Sequence, residues 1–79
     1  MPNTENFESA FAVWYDSNLP GGEENFNLTL TTDQIYNAII EHDPFADMGK
    51  GALVKALVEN GYQRRVIDQQ FEWLILSKF

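Results

Sequence analysis

Four aromatic residues, Phe7, Phe11, Trp14 and Tyr15, fall on one stripe of a 3.6-residue period, and Ala10 and Val13 widen it. The spacing predicts an amphipathic helix running to about Asn18, capped by Asn3 or Thr4. Glu5 and Glu8 stand in its early turns, where the helix dipole favours anions. Leu19-Pro20-Gly21-Gly22 ends it, because proline pushes the preceding residue out of the α region and two glycines loosen the backbone. From Asn25 the period becomes two. Phe26, Leu28 and Leu30 alternate with Asn27 and Thr29, the pattern of a short half-buried strand.

Thr31-x-x-Gln34 then spells a capping box, and Leu30 and Ile35 are spaced as a hydrophobic staple around it. The helix that follows, about Thr32 to His42, is expected to bury Ile35, Ala38 and Ile39, with His42 next in register. Asp43-Pro44 stops it, and Pro44-Phe45-Ala46 makes a turn. Asp47 is placed to cap a third helix that turns Leu53, Ala56 and Leu57 inward and Lys50 and Lys55 outward, with Val54 and Val58 between. Asn60-Gly61 fits a left-handed stop, over which Tyr62 can fold back. Two runs rich in β-formers, Tyr62 to Ile67 and Phe71 to Leu76, predict a hairpin joined at Asp68-Gln69-Gln70. Phe71, Trp73 and Ile75 share one face, and the turn lacks the Asn-Gly signal of a tight hairpin.

The order helix, strand, helix, helix, strand, strand, with a small antiparallel sheet, is an α+β arrangement and resembles the winged helix-turn-helix superfamily from about Phe7 to Leu76. The resemblance rests on that order and on LTTDQIYNAI, then LVKALVENGY, then a hairpin with aromatics in its second strand. The same stretch is similar to small winged-helix modules of phage and mobile-element primase-helicase proteins. The resemblance implies DNA contact through the third helix and the hairpin. Carried onto this sequence, it points to Lys50 and Lys55 on the helix and to Gln63, Arg64 and Arg65 on the hairpin, with Gln69 and Gln70 at the wing tip. Side-chain amides can read adenine edges, and lysine and arginine neutralise phosphates.

Charge complicates this expectation. The chain of 79 residues has a formal net charge of −7, yet all five basic residues lie at or after position 50, while residues 1–49 hold nine of the twelve acids. Four bases on the proposed face would give only weak, salt-sensitive binding. In a strand, the neighbours Arg64 and Arg65 point to opposite faces. A second reading therefore stands beside the first: an acidic winged-helix module that binds a protein, or a second copy of itself, through acidic and aromatic surface and never touches nucleic acid. Trp14, Tyr15, Phe45, Trp73 and Phe79 are the aromatics available for such a contact. The two readings separate on where the acids lie: Asp43, Asp47 and Glu59 close beside Lys50 and Lys55 would weaken the first, and acids gathered opposite the wing would strengthen it.

The remaining chemistry is sparse. There is no cysteine and a single histidine, so thiolate zinc sites, disulfides and a Cys-His nucleophile are excluded. Glu41-His42-Asp43 with Asp47 lacks the ligand types and the glycine that a metal or EF-hand loop requires. Gly49-Lys50 lacks the glycine and the hydroxyl residue of a phosphate-binding P-loop. A non-enzymatic, single-domain protein without cofactor, metal or small-molecule substrate is expected. Nothing near the N-terminus reads as a signal peptide and no apolar run is long enough to span a bilayer, so a cytoplasmic setting is expected.

Overall fold

In the computed structural model, which describes residues 4–78, the chain forms α1 (Thr4–Ser17), β1 (Asn18–Pro20), β2 (Leu28–Leu30), α2 (Thr32–His42), a 3-10 turn (Pro44–Ala46), α3 (Lys50–Glu59), β3 (Arg64–Ile67) and β4 (Gln70–Ser77). This is the expected α+β, winged-helix-like order with one strand added. Asn3 and Phe79 lie outside the described residues. The four-stranded sheet is antiparallel and organised on β4. Trp73 pairs with Leu30 on one side and Arg64 on the other, and Ile75 pairs with Leu28 and Pro20. Each residue of a strand offers two edges, so β1 and β3 must lie end to end along one edge of β4, with β2 along the other. Leu74 marks the join, its N–H donating to the Gln63 carbonyl at 2.9 Å and its carbonyl accepting from Gly21 at 3.0 Å.

The added strand occupies the stretch that reads as a helix break. Asn18-Leu19-Pro20 leaves the helix as expected but becomes extended because β4 supplies an edge for it. The loop beyond is held tightly. A Cβ on Gly21 would come within 3.0 Å of the Asn25 carbonyl oxygen and of the Phe26 Cβ, and within 3.2 Å of the Ile75 carbonyl carbon, so only glycine permits this approach. The predicted strand at residues 26–30 shortens to Leu28–Leu30.

At α2 the capping box forms as written, with Thr31 Oγ1 accepting from the Gln34 N–H and Gln34 Oε1 accepting from the Thr31 N–H. At the far end of α3, Gly61 adopts φ +86° and its N–H donates to the Val58 carbonyl, while the Tyr62 N–H reaches back to Leu57. This is a Schellman closure, and Tyr62 and Leu57 pack into the same core. The other end differs from expectation. Gly49, not Asp47, is the cap residue of α3 and makes no side-chain cap bond; Asp47 instead accepts from the Gly49 N–H and shapes the turn before the helix.

Ala10 and Phe11 of α1, Ile35 and Ile39 of α2, Leu53 and Leu57 of α3, and Trp73 and Ile75 of β4 form the main core, closed by Ala46 and Tyr62. Burying each large aliphatic or aromatic side chain contributes about 1.5–3 kcal/mol, against about 1 for a typical cap, so packing decides which faces turn inward. Several positions expected to face inward do not reach the core, Val13 of α1 among them at 52 % exposed. Ala38 and His42 are exposed, because α2 turns Ile35 and Ile39 fully into the core and packs Tyr36 against it, which leaves Ala38 and His42 at the margin of the contact. Phe71 shares the face of Trp73 and Ile75 but is 61 % exposed, since it lies beyond the last residue of β4 paired with β2.

The hairpin turn is tighter than the sequence suggests. Ile67 pairs with Gln70, leaving Asp68 and Gln69 as a two-residue loop with φ of 50° and 68°. Positive φ at both central positions is the signature of a type I′ turn, which favours Asn or Asp followed by Gly. Asp68 suits the first position, whereas Gln69 carries a Cβ into a conformation that disfavours it. Gln69→Gly is expected to stabilise the protein by about 1 kcal/mol, seen as a higher urea midpoint at unchanged slope; a lowered midpoint would contradict this account of the turn.

Candidate functional site

The residues expected at a nucleic-acid interface all lie on exposed parts of α3 and the wing, but they point in several directions. Lys50, at the start of α3, turns toward α2. Its Nζ lies 2.8 Å from Asp33 Oδ1 and 5.5 Å from the centre of the Tyr36 ring. Lys55 is on the opposite flank, in a groove between α1 and α3 that it shares with Phe7, Glu8, Met48 and Glu59. Acids therefore attend both lysines of α3, one as a direct ion pair and the other as groove neighbours.

On the wing, the strand pleat separates the two arginines. Arg64 pairs with Trp73 and lies on the core side of the sheet, its guanidinium 5.4 Å from the Phe71 ring centre and 5.3 Å from that of Trp73. Arg65 pairs with Glu72 on the outer side and covers Phe26 at 4.9 Å. Both cations are thus engaged with aromatic rings. Gln63 uses its backbone carbonyl to hold Leu74, Gln69 occupies the turn, and Gln70 borders a shallow cleft with Thr31, Thr32, Asp33 and Phe71. Asp33 is where two of the candidates meet: it holds Lys50 and lines the same cleft as Gln70. Lys55 and Arg65 stand apart from that pair.

Asp47 and Tyr36 secure the entrance to α3. The Tyr36 hydroxyl donates to Asp47 Oδ1 at 2.7 Å, and the Gly49 N–H donates to the same oxygen at 2.9 Å. These bonds, the tyrosine's first, hold the Asp47 carboxyl below its ordinary range, and the same tyrosine bond raises the Tyr36 phenol above its own. Among the described residues no group of three or more His, Cys, Asp or Glu could hold a metal ion, and His42 is an exposed helix-end residue. No described helix is long and apolar enough to cross a membrane.

Sequence reasoning missed Asp33, Val66 and Phe71. Asp33 belongs to the first turn of α2, where an acid is explained by the helix dipole, and no local spacing links it to Lys50. Val66 and Phe71 face each other across the hairpin, 62 % and 61 % exposed. An apolar pair next to a two-residue turn, beyond the reach of any third strand, is the signal that could have found them. Compared with family models, curated proteins and solved structures, the chain matches none.

The lowered Asp47 carboxyl gives the start of α3 a defined pH response. A group whose folded pKa is depressed contributes stability above its unfolded pKa, and that contribution is lost as pH falls through the folded value. Asp47→Ala is expected to lower the urea midpoint at pH 7, and its deficit against the parent protein should shrink as pH falls below the ordinary Asp value of about 4. A deficit that stays constant with pH would remove the carboxylate from this role.

Proposed function

We propose that the chain is a non-enzymatic winged-helix module that binds protein rather than nucleic acid. The observation that carries this reading is the placement of acids around α3. Lys50 is ion-paired to Asp33 at 2.8 Å, and Lys55 shares its groove with Glu8 and Glu59. Phosphate binding gains its free energy by releasing counterions from nucleic acid, so Lys50, already paired with Asp33, would have to exchange that partner for a phosphate, and acids near Lys55 lower the local attraction for one. Arg64 and Arg65 lie on opposite faces of β3, so a backbone tracking one face of the wing would meet only one of them. The formal charge of −7 adds a repulsive field at longer range.

The wing supplies what a protein contact uses. Val66 and Phe71 form an exposed apolar pair with Arg64 stacked beside it, and aromatic residues and arginine are enriched where binding energy concentrates. An NMR titration of labelled protein with a short DNA duplex at about 50 mM salt tests the reading, since weak phosphate contacts are strongest at low salt. The expected result is no shift at Lys50, Lys55, Gln63, Arg64, Arg65, Gln69 or Gln70. Shifts at those residues that disappear at about 200 mM salt would return the protein to the nucleic-acid class.

A further inference from the structure

We infer that the open edge of β3 is a self-pairing edge, through which two copies of this chain join their wings into one continuous antiparallel sheet. The inference rests on the protein-binding reading and names the partner as a second copy. Its starting point is the hydrogen-bond phase of the hairpin. Gln63 and Leu74 form a bonded pair, the Leu74 N–H donating to the Gln63 carbonyl at 2.9 Å. In an antiparallel ladder bonded and non-bonded pairs alternate, so Gln63, Arg65 and Ile67 turn their backbone groups toward β4. Arg64 and Val66 turn theirs away from it. Among the described residues β3 pairs with β4 alone, and Arg64, Arg65 and Val66 are exposed, so those outward N–H and C=O groups form an open edge.

Edge strands are commonly protected by charged side chains, and β3 carries two arginines. Neither guards this edge. Arg64 is drawn over Phe71 and Trp73 on one face and Arg65 over Phe26 on the other, which leaves the strip between them clear.

Charge then selects the partner and the register. Although the chain carries −7, the hairpin itself is neutral, Arg64 and Arg65 balancing Asp68 and Glu72. Two copies can therefore approach wing to wing without the repulsion that their acidic halves would impose. Outward-facing residues must pair with outward-facing residues, and a two-fold axis beside Val66 sets Val66 opposite Val66 of the second copy. The same register sets Arg64 opposite Asp68, twice, and Arg65 opposite Ile67. Moving the axis to Arg65 or to Arg64 sets two arginines directly opposite each other, which is unfavourable. In the favoured register Phe71, Val66 and their two counterparts form one apolar row across the joined sheet, covering the pair that stands exposed in the single copy.

Sedimentation equilibrium on the full chain, followed over a range of concentrations, tests the pairing. The parent protein is expected to move from its 9.1 kDa monomer mass toward twice that value. Val66→Pro removes an outward N–H without breaking a hairpin bond and is expected to weaken association about tenfold or more. Arg64→Glu, which sets like charges opposite each other, is expected to weaken it about threefold or more. Phe45→Ser alters an aromatic that is 77 % exposed away from the wing and should leave association unchanged. Hairpin amide shifts recorded for each monomer confirm that the wing is folded, and Arg64→Glu decides the matter if Val66→Pro unfolds it. A parent protein that stays monomeric at the highest concentration, or a dimer lost in Phe45→Ser and kept in the wing variants, would overturn the self-pairing edge. Neither result touches the protein-binding reading, which the duplex titration tests separately.

Discussion

Among the described residues, every other strand hydrogen-bonds to β4. Its eight residues are divided among β3 near the hairpin turn, β2 in the middle, and β1 at the C-terminal end. Trp73 extends that control to the helices, its indole N–H donating to Thr32 Oγ1 at 2.9 Å while its ring is buried in the core. The start of α2 is therefore fixed to the sheet at the residue after its cap. Leu74, on the other side of the pleat and equally buried, uses its backbone to join β1 to the beginning of β3. A chain with so short a sheet has little redundancy. Disturbing the centre of β4 would release three strands and one helix together, which makes the fold cooperative despite its size.

Tyr62 is the second point at which distant parts meet. Its N–H closes α3, its ring lies 5.5 Å from that of Trp14 and 6.0 Å from that of Tyr15, and its hydroxyl donates to the Asn18 carbonyl at the start of β1. Burial drives its phenol well above the ordinary tyrosine range, as expected for a group that must stay neutral to remain inside. The aromatic stripe of α1 is thus completed by a residue supplied from the end of α3. Phe7, Phe11, Trp14 and Tyr15 would otherwise leave one flank of α1 open beside β1.

Features written in local chemistry were legible in the sequence, and those created by long-range pairing were not. Thr31 with Gln34 and Asn60 with Gly61 specify helix ends through bonds within a few residues, and both formed as read. The aromatic stripe of α1 and the type of each helix followed from periodicity in the same way, although Val13, read as widening that stripe, is exposed. β1 was hidden because Asn18-Leu19-Pro20 has no strand pattern of its own and becomes one only when Leu76 lies beside Leu19. Ala38 and His42 were assigned inward by register, but register gives a direction and not the width of the surface that a neighbour covers. At the candidate site, exposure of the lysines, arginines and glutamines was legible, while their company was not. The balance of Lys50 by Asp33 depends on how α2 packs against α3, a distance that no spacing along the chain encodes.

The wing shows how charge and shape divide the work on a small acidic protein. Its acids keep the molecule strongly negative, which favours solubility and discourages non-specific association. Concentrating most of them before position 50 leaves the hairpin as a neutral region on a negative body. There the hairpin runs on past its third strand, since Trp73 is the last residue of β4 with neighbours on both sides. Beyond it, Val66 and Phe71 can bury each other only in part, because a two-stranded ribbon has no third layer to cover them. Extending the hairpin past its sheet therefore costs apolar exposure that a shorter wing would avoid. An added strand would recover that surface and satisfy the outward groups of Arg64 and Val66 in one step, so the geometry that leaves the wing incomplete also defines what a complementary edge would have to supply.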